Sequence, residues 1–480
     1  MTTTDPDTPD IAPLAPDVLD ALAGIAPGDA LDAARRRRPD ARAHAQGSFA
    51  ALFLPADASQ VSLAERAAVA LFVARLHGDS SAVAFYGALL RATEENPSTA
   101  SGIGRLEALI VSEAGRASGR GPYGAFRAEN APESTAGPVY EVDALETAYL
   151  LGDRLAAALE HAHLLVLHPR DAQRDHLEAL LEAGWSTTGV VTLSQLISFL
   201  AFQLRVAQGF GALRASLGAG GDAVGAGEGS GSPELRGAPT EEGAAAAAAP
   251  GSDRQRLEAL AAEVAAAAAQ RLGDGPGRIP VGTAEHLPPA PRVTEPPRFT
   301  QDALGWKPWL EPLPAADFTE RHYRALVERD RVHMPYFRLL ARDPEALLER
   351  TLTDLDIFTN ADAGLPRADR EIAAAAASRY NGCVFCASVH SRFATENGAD
   401  RDEVQRLLDE GVAARISPRW DALIDATVAL TATPPRFGGA EVAALRDAGF
   451  DELAVVDAIQ AGAFFNWANR LMLSLGEPSV

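Results

Sequence analysis

Cysteine is nearly absent from this chain: there are two among 480 residues. That excludes a scaffold stapled by disulfides. In a reducing compartment such a pair is more often reactive or metal-binding than structural. No run of 18 or more apolar residues occurs, so no transmembrane helix is expected. The opening MTTTDPDTPDIAPLAPD lacks a basic segment followed by an apolar one, so no secretory signal is expected. Positive charge is in deficit. With 43 Lys and Arg against 65 Asp and Glu, the net charge is −22. Nucleic acids and acidic membranes both select a positive field, so neither is an expected partner. The expectation is a soluble, cytoplasmic protein.

What is present is length and helical pattern. A chain of 480 residues allows about three domains. Residues 214–297 are rich in Gly, Ala, Pro and Ser, as in GAGGDAVGAGEGSGS and PPAPRVTEPP. Such sequence buries too little apolar surface to offset its ordering entropy, so a flexible linker is expected there, with a lone helix over 254–272. It separates residues 1–213 from residues 298–480. Both flanks carry apolar residues at three- and four-residue spacing, for example over 174–183, 192–207, 367–380, 421–432 and 451–473. The expected fold is all-α, two helical-hairpin domains joined by the linker.

The two flanks also resemble each other. LAERAAVALFVARLHGDSSAVAFY, from Leu63, aligns without a gap on PRADREIAAAAASRYNGCVFCASVH. LEALLEAGW (177–185) aligns on VAALRDAGF (442–450) at a shorter offset, so the first copy carries an insertion, placed in its Gly- and Ser-rich stretch NPSTASGIGRL…GRASGRGPYG. The expectation is a duplicated helical unit.

Chemistry concentrates in one segment of the second copy, from Glu371 through Cys383 and Cys386 to His390. Asn381-Gly382 is a strong helix break. On a helix starting there, positions 383, 386 and 390 share one face. A thiol reacts as its thiolate, which a helix N-terminus and a nearby base favour. His390 is in reach to take a proton from Cys386, and Glu371 could orient that imidazole. Two cysteines three apart can close a disulfide after one sulfur is oxidised. Three plainer readings stand beside this one. The cysteines could be core residues. They could bind zinc with His390, although no fourth ligand is in view. A thioredoxin-like site would need strand–helix alternation, which this region lacks. Elsewhere, Arg35 to Arg38 reads as a solvated helix end. His161, His163 and His168 read as surface or core residues, and Phe464, Phe465 and Trp467 as core. Asn466, Asn469 and Arg470 read as buried polar partners.

The pattern Glu-x11-Cys-x-x-Cys-x-x-x-His in a helical hairpin resembles the alkyl hydroperoxidase D-like / carboxymuconolactone decarboxylase superfamily. The second flank resembles its peroxidase-like members and the first a cysteine-free unit of the same kind. The resemblance implies a thiol-dependent peroxidase, with Cys386 attacking an organic hydroperoxide, Cys383 resolving, and Glu371 and His390 relaying protons. It implies no cofactor or metal, a dithiol reductant of thioredoxin-like or lipoyl type, and a homo-oligomer, trimeric or hexameric. One departure is Phe385, where well-characterised members have histidine. In the first copy Ala67, Asp79, Ala82 and Tyr86 stand at the positions of Glu371, Cys383, Cys386 and His390, so that copy is expected to be inert. Two other functions remain open: a cofactor-free lactone decarboxylase or isomerase, and a non-catalytic redox-sensing assembly protein.

Overall fold

A computed structural model describes residues 17–93, 100–142, 145–219, 251–273 and 285–480. The acidic N-terminal stretch to residue 16, the Gly/Ser-rich 220–250 and part of the insertion (94–99) lie outside the described residues.

The first half runs through α1 (Val18–Ala23), α2 (Ala30–Arg35), α3 (Pro39–Phe53), α4 (Leu63–His77), α5 (Ser80–Ala92), α6 (Ala100–Arg116), α7 (Leu145–Leu151), α8 (Asp153–Leu167), α9 (Arg174–Glu182) and α10 (Thr187–Ala219). α11 (Gly251–Leu272) follows. The second half holds α12 (Glu320–Ala325), α13 (Pro335–Leu340), α14 (Pro344–Thr359), α15 (Arg367–Asn381), α16 (Val384–Glu396), α17 (Arg401–Glu410), α18 (Pro418–Thr431), α19 (Gly439–Asp447) and α20 (Glu452–Ser474). The fold is all-α. Among the described residues the one sheet is a short antiparallel pair, β1 (Gly305–Pro308) against β2 (Gly476–Ser479).

The internal likeness is repeated in the helices. α15 and α16 begin and end 304 positions after α4 and α5. α19 begins and ends 265 positions after α9, and α20 begins 265 after α10. The offset drops by the length of the insertion, as expected. Local chemistry sets the boundaries. Ser62 caps α4 in a capping box with Glu65, whereas Gly78 and Gly382 end α4 and α15 in the left-handed conformation.

The halves pack on each other. α10 lies along α20, and α3 along α14. By length and mean hydropathy (1.5) the segment Thr187–Leu217 could cross a membrane. Here that stretch is buried, packed among α4, α8 and α20.

Two expectations need correction. The segment 214–297 is not a flexible linker throughout. α10 continues to Ala219, and α11 docks on α5, burying Leu257, Leu260, Ala261, Val264 and Ala268. These lie at helical spacing on one face, so α11 has an apolar stripe that a lone helix would expose. Beyond it, residues 285–297 run extended over both halves. Arg174 donates to the Pro288 carbonyl at 2.6 Å, and Glu129 N to that of Pro297 at 3.0 Å.

Nor is the Arg35–Arg38 run a solvated helix end. Arg36 and Arg37 are exposed, but Arg35 and Arg38 are buried. Arg35 pairs with Asp20. Arg38 forms a two-pronged pair with Asp457 of α20, at 2.7 and 2.8 Å. Asp457 also accepts from Arg370 Nη2 at 3.1 Å and from Leu365 N at 2.8 Å. One buried carboxylate thus ties both halves together, and its loss strands two buried cations. Asp457→Ala is expected to destabilise the fold by about 3–5 kcal/mol, read as a lower urea midpoint by circular dichroism. An unchanged midpoint would contradict this.

Candidate functional site

The site is built on the α15–α16 hairpin. Ala373 to Ala377 are fully buried, and their small side chains let α15 pack closely against α16, α18 and α20. Gly382, at φ 81°, reverses the chain in a conformation that a side chain would strain. Cys383 then caps α16, its N–H bonded to Ser378 O at 2.9 Å. Cys386 follows in the first turn of that helix. The two Sγ atoms are 3.0 Å apart, unbridged, with the cysteines 2% and 4% exposed.

One turn on, His390 Nδ1 meets Glu371 Oε2 at 2.5 Å. Glu371 is fully buried, and its other oxygen accepts from Arg367 Nε at 2.5 Å. With Glu371 ionised, the ring proton sits on Nδ1 and leaves Nε2 free to accept one. The His390 ring is 4.0 Å from that of Phe465, with Phe358 at 5.7 Å and Phe393 at 5.9 Å. The four residues singled out from sequence are therefore gathered on one hairpin.

Polar groups back the turn. Asn381 Nδ2 donates to Asn466 and Asn469 at 3.2 and 3.0 Å, and Asn469 Nδ2 to Ser378 Oγ at 3.0 Å. Burial pushes the Cys383 thiol well above its usual range. The bond from its sulfur to Cys386 and the charge of Cys386 push the same way, against weaker opposing help from the Cys386 N–H and Asn469. Cys383 therefore holds its proton at neutral pH. Among the described residues no group of three His, Cys, Asp or Glu side chains is arranged to hold a metal ion.

Sequence reasoning missed several neighbours. Arg367 was one, although its spacing of four from Glu371 was visible. Two more are Asp354 and Tyr336, ahead of the motif, where no sequence signal marks them. Burial raises the Asp354 carboxyl and pushes the Tyr336 phenol up to about 12. Tyr336 Oη is buried without a hydrogen-bond partner among the described residues.

The matching place in the first half holds different groups. Asp79 caps α5, accepting from Ala82 N at 2.9 Å, and the buried Tyr86 hydroxyl bonds Gln203. No thiol and no imidazole–carboxylate pair stands there. The histidines of α8 are core residues. His161 Nε2 lies 3.0 Å from Ser194 Oγ, and His163 Nδ1 3.0 Å from His168 Nε2. Burial lowers His161 and His163 to about 3.

The raised Cys383 thiol has a measurable consequence. At pH 7 under native conditions, iodoacetamide is expected to label Cys386 before Cys383, and Cys383 labelling should accelerate only as pH rises above the ordinary thiol range. Peptide mapping by mass spectrometry reads the order. Faster labelling of Cys383 would reverse the assignment.

Comparison with curated proteins and with solved structures returns no match. Residues 346–429, from the first turn of α14 into α18, match the carboxymuconolactone decarboxylase family. That stretch, 84 of the 480 residues, contains Glu371, Cys383, Cys386 and His390, and over it the second half is similar to the carboxymuconolactone decarboxylase family, whose superfamily includes the alkyl hydroperoxidase D-like proteins.

Proposed function

We propose that this protein is a thiol-dependent peroxidase that reduces organic hydroperoxides through a Cys383/Cys386 dithiol–disulfide cycle. The observation that carries the reading is the pairing of two sulfurs 3.0 Å apart with a Glu371–His390 contact of 2.5 Å on the same hairpin. Cys386 passes its proton to His390 Nε2, whose imidazolium the buried Glu371 carboxylate stabilises. The thiolate attacks the outer peroxide oxygen. The O–O bond breaks, and the alkoxide leaves as the alcohol with the proton from His390. Cys386 is now a sulfenic acid. Cys383 gives up its proton as its sulfur attacks that sulfenic sulfur, an S–S bond forms, and the hydroxyl leaves with a proton as water. A dithiol, of lipoyl or thioredoxin-like type, supplies two electrons to restore the pair. The high Cys383 thiol fits the resolving role, since it does not compete for peroxide as a thiolate.

The reduced protein is expected to lose both free thiols on adding one equivalent of an organic hydroperoxide. Cys383→Ser should stop at a sulfenic acid on Cys386, trapped by dimedone. Glu371→Gln should slow thiol loss by about a hundredfold. Thiols that survive the oxidant would sink the peroxidase reading. Lactone turnover retained in the Cys383→Ser/Cys386→Ser variant would replace it with the decarboxylase-like one.

A further inference from the structure

The turn that carries Cys383 is gripped by the cysteine-free half. A Cβ placed on Gly382 would lie 2.4 Å from Cγ of Arg170 and 3.4 Å from the Phe126 ring. Arg170 precedes α9, and Phe126 closely follows the Gly- and Ser-rich stretch of the first half that ends at Gly124. Arg170 is itself fixed. Its Nη2 donates to Pro122 O at 2.7 Å and its Nε to Tyr123 O at 3.2 Å, and its guanidinium lies 4.1 Å from the Phe126 ring. The same segment is tied to the second half at both ends. Gly121 and Thr433 exchange backbone bonds of 2.8 and 2.9 Å. Both carboxylate oxygens of Glu133 accept from Nη2 of Arg379, at 2.6 and 2.7 Å. Arg379 is buried in the last turn of α15, four residues before Cys383.

The duplication supplies an internal comparison. Gly78 occupies the place of Gly382 in the first half and has the same left-handed backbone. Its Cβ would meet nothing closer than Pro434 at 3.8 Å. The close grip is therefore found on the turn that bears a cysteine and not on its cysteine-free counterpart.

We propose that Arg170 and the segment Gly121–Glu133 are positioning elements of the reacting half. They clamp the turn from Arg379 to Cys383 and hold Cys383 in disulfide-forming reach of Cys386. This rests on the Cys383–Cys386 disulfide of the reading above, but not on peroxide as its source. Two thiols held together have a high effective concentration, which favours the disulfide over two separate thiols. Loosening the turn lowers that concentration and makes the disulfide easier to reduce.

The test uses the full chain with Phe126→Ala, Glu133→Ala and the double variant. Phe126 and Glu133 are only partly covered, so these changes spare the deep core. Diamide oxidises the two thiols to the disulfide and is itself reduced to the hydrazine. The protein is then equilibrated in dithiothreitol redox buffers, and free thiols are counted by gel shift with a maleimide polymer. The double variant is expected to lower the equilibrium constant for disulfide formation about tenfold, a rise in potential of about 30 mV for a two-electron couple. A packing role alone would lower the melting temperature of both redox forms equally and leave the potential where it was. An unchanged potential in the double variant, or a wild-type protein that forms no Cys383–Cys386 disulfide, overturns the proposal. A protein inert to peroxide but with a shifted potential would sink the peroxidase reading and leave the clamp standing.

Discussion

Buried guanidinium groups at the α10–α20 seam hold this protein in one piece. Arg205 and Arg470 occupy equivalent places on the two helices and reach across it in opposite directions. Arg205 Nη2 donates to Thr431 O at 2.9 Å and Thr433 Oγ1 at 2.7 Å, and Arg470 Nη2 to Val166 O at 3.2 Å. Burial lowers the pKa of both, Arg470 to about 9. A cation taken from water is tolerated only where acceptors replace the lost hydration. Thr431 O, Thr433 Oγ1 and Val166 O each belong to the other half, so these three bonds form only when the halves meet in one register. From Arg470 the polar contacts run through Asn466, Asn381 and Asn469 to Ser378, whose carbonyl holds Cys383 N. The placement of the first sulfur therefore depends on the seam.

The duplicated units kept their scaffold and parted in their chemistry. Arg66 and Arg370 sit at equivalent positions and make equivalent bonds, Nε to the carbonyl of Val61 or Leu365 and Nη1 to that of Leu52 or Ile357. Each fixes the entry to its hairpin. The cap of the second hairpin helix is Asp79 in one copy and Cys383 in the other. An N-cap position exposes its side chain to unsatisfied helix N–H groups. In the first copy a carboxylate bonds them and stabilises the helix. In the second a thiol stands there, makes no side-chain cap, and faces another sulfur instead. The second copy gives up a cap, and the clamp from the first half supplies restraint at the same turn.

Much of this was legible in the sequence because it rests on local rules. The break at Asn381-Gly382, the shared face of 383, 386 and 390, and the alignment of the two copies all follow from spacing and turn chemistry. The partners of Arg35 and Arg38 were not legible as a pair of classes. Asp20 is near in sequence, but Asp457 lies more than 400 positions from Arg38, and a basic run alone does not say which of its members turn inward. α11 was misjudged because alanine-rich composition was weighed above its Leu257–Leu260–Val264 spacing. The grip of Arg170 and Phe126 on Gly382, and of Glu133 on Arg379, was invisible, since it joins segments of one copy to a turn in the other.

The surroundings of the sulfurs bear on how a cycle there would run. A sulfenic acid formed in open water meets more oxidant and climbs to irreversible states. Here each cysteine is almost wholly covered, and the one other cysteine of the sequence, Cys383, has its sulfur 3.0 Å from that of Cys386. Condensation is then an encounter within one turn, set by geometry rather than by concentration. The rings of Phe358, Phe393 and Phe465 enclose His390 and lower the dielectric around its contact with Glu371. In such surroundings the hydrogen bond between the two side chains is stronger than it would be in water. Arg367 donates to the other oxygen of Glu371. The arginine, the carboxylate and the imidazole thus form a line of contacts on the same hairpin that carries both sulfurs.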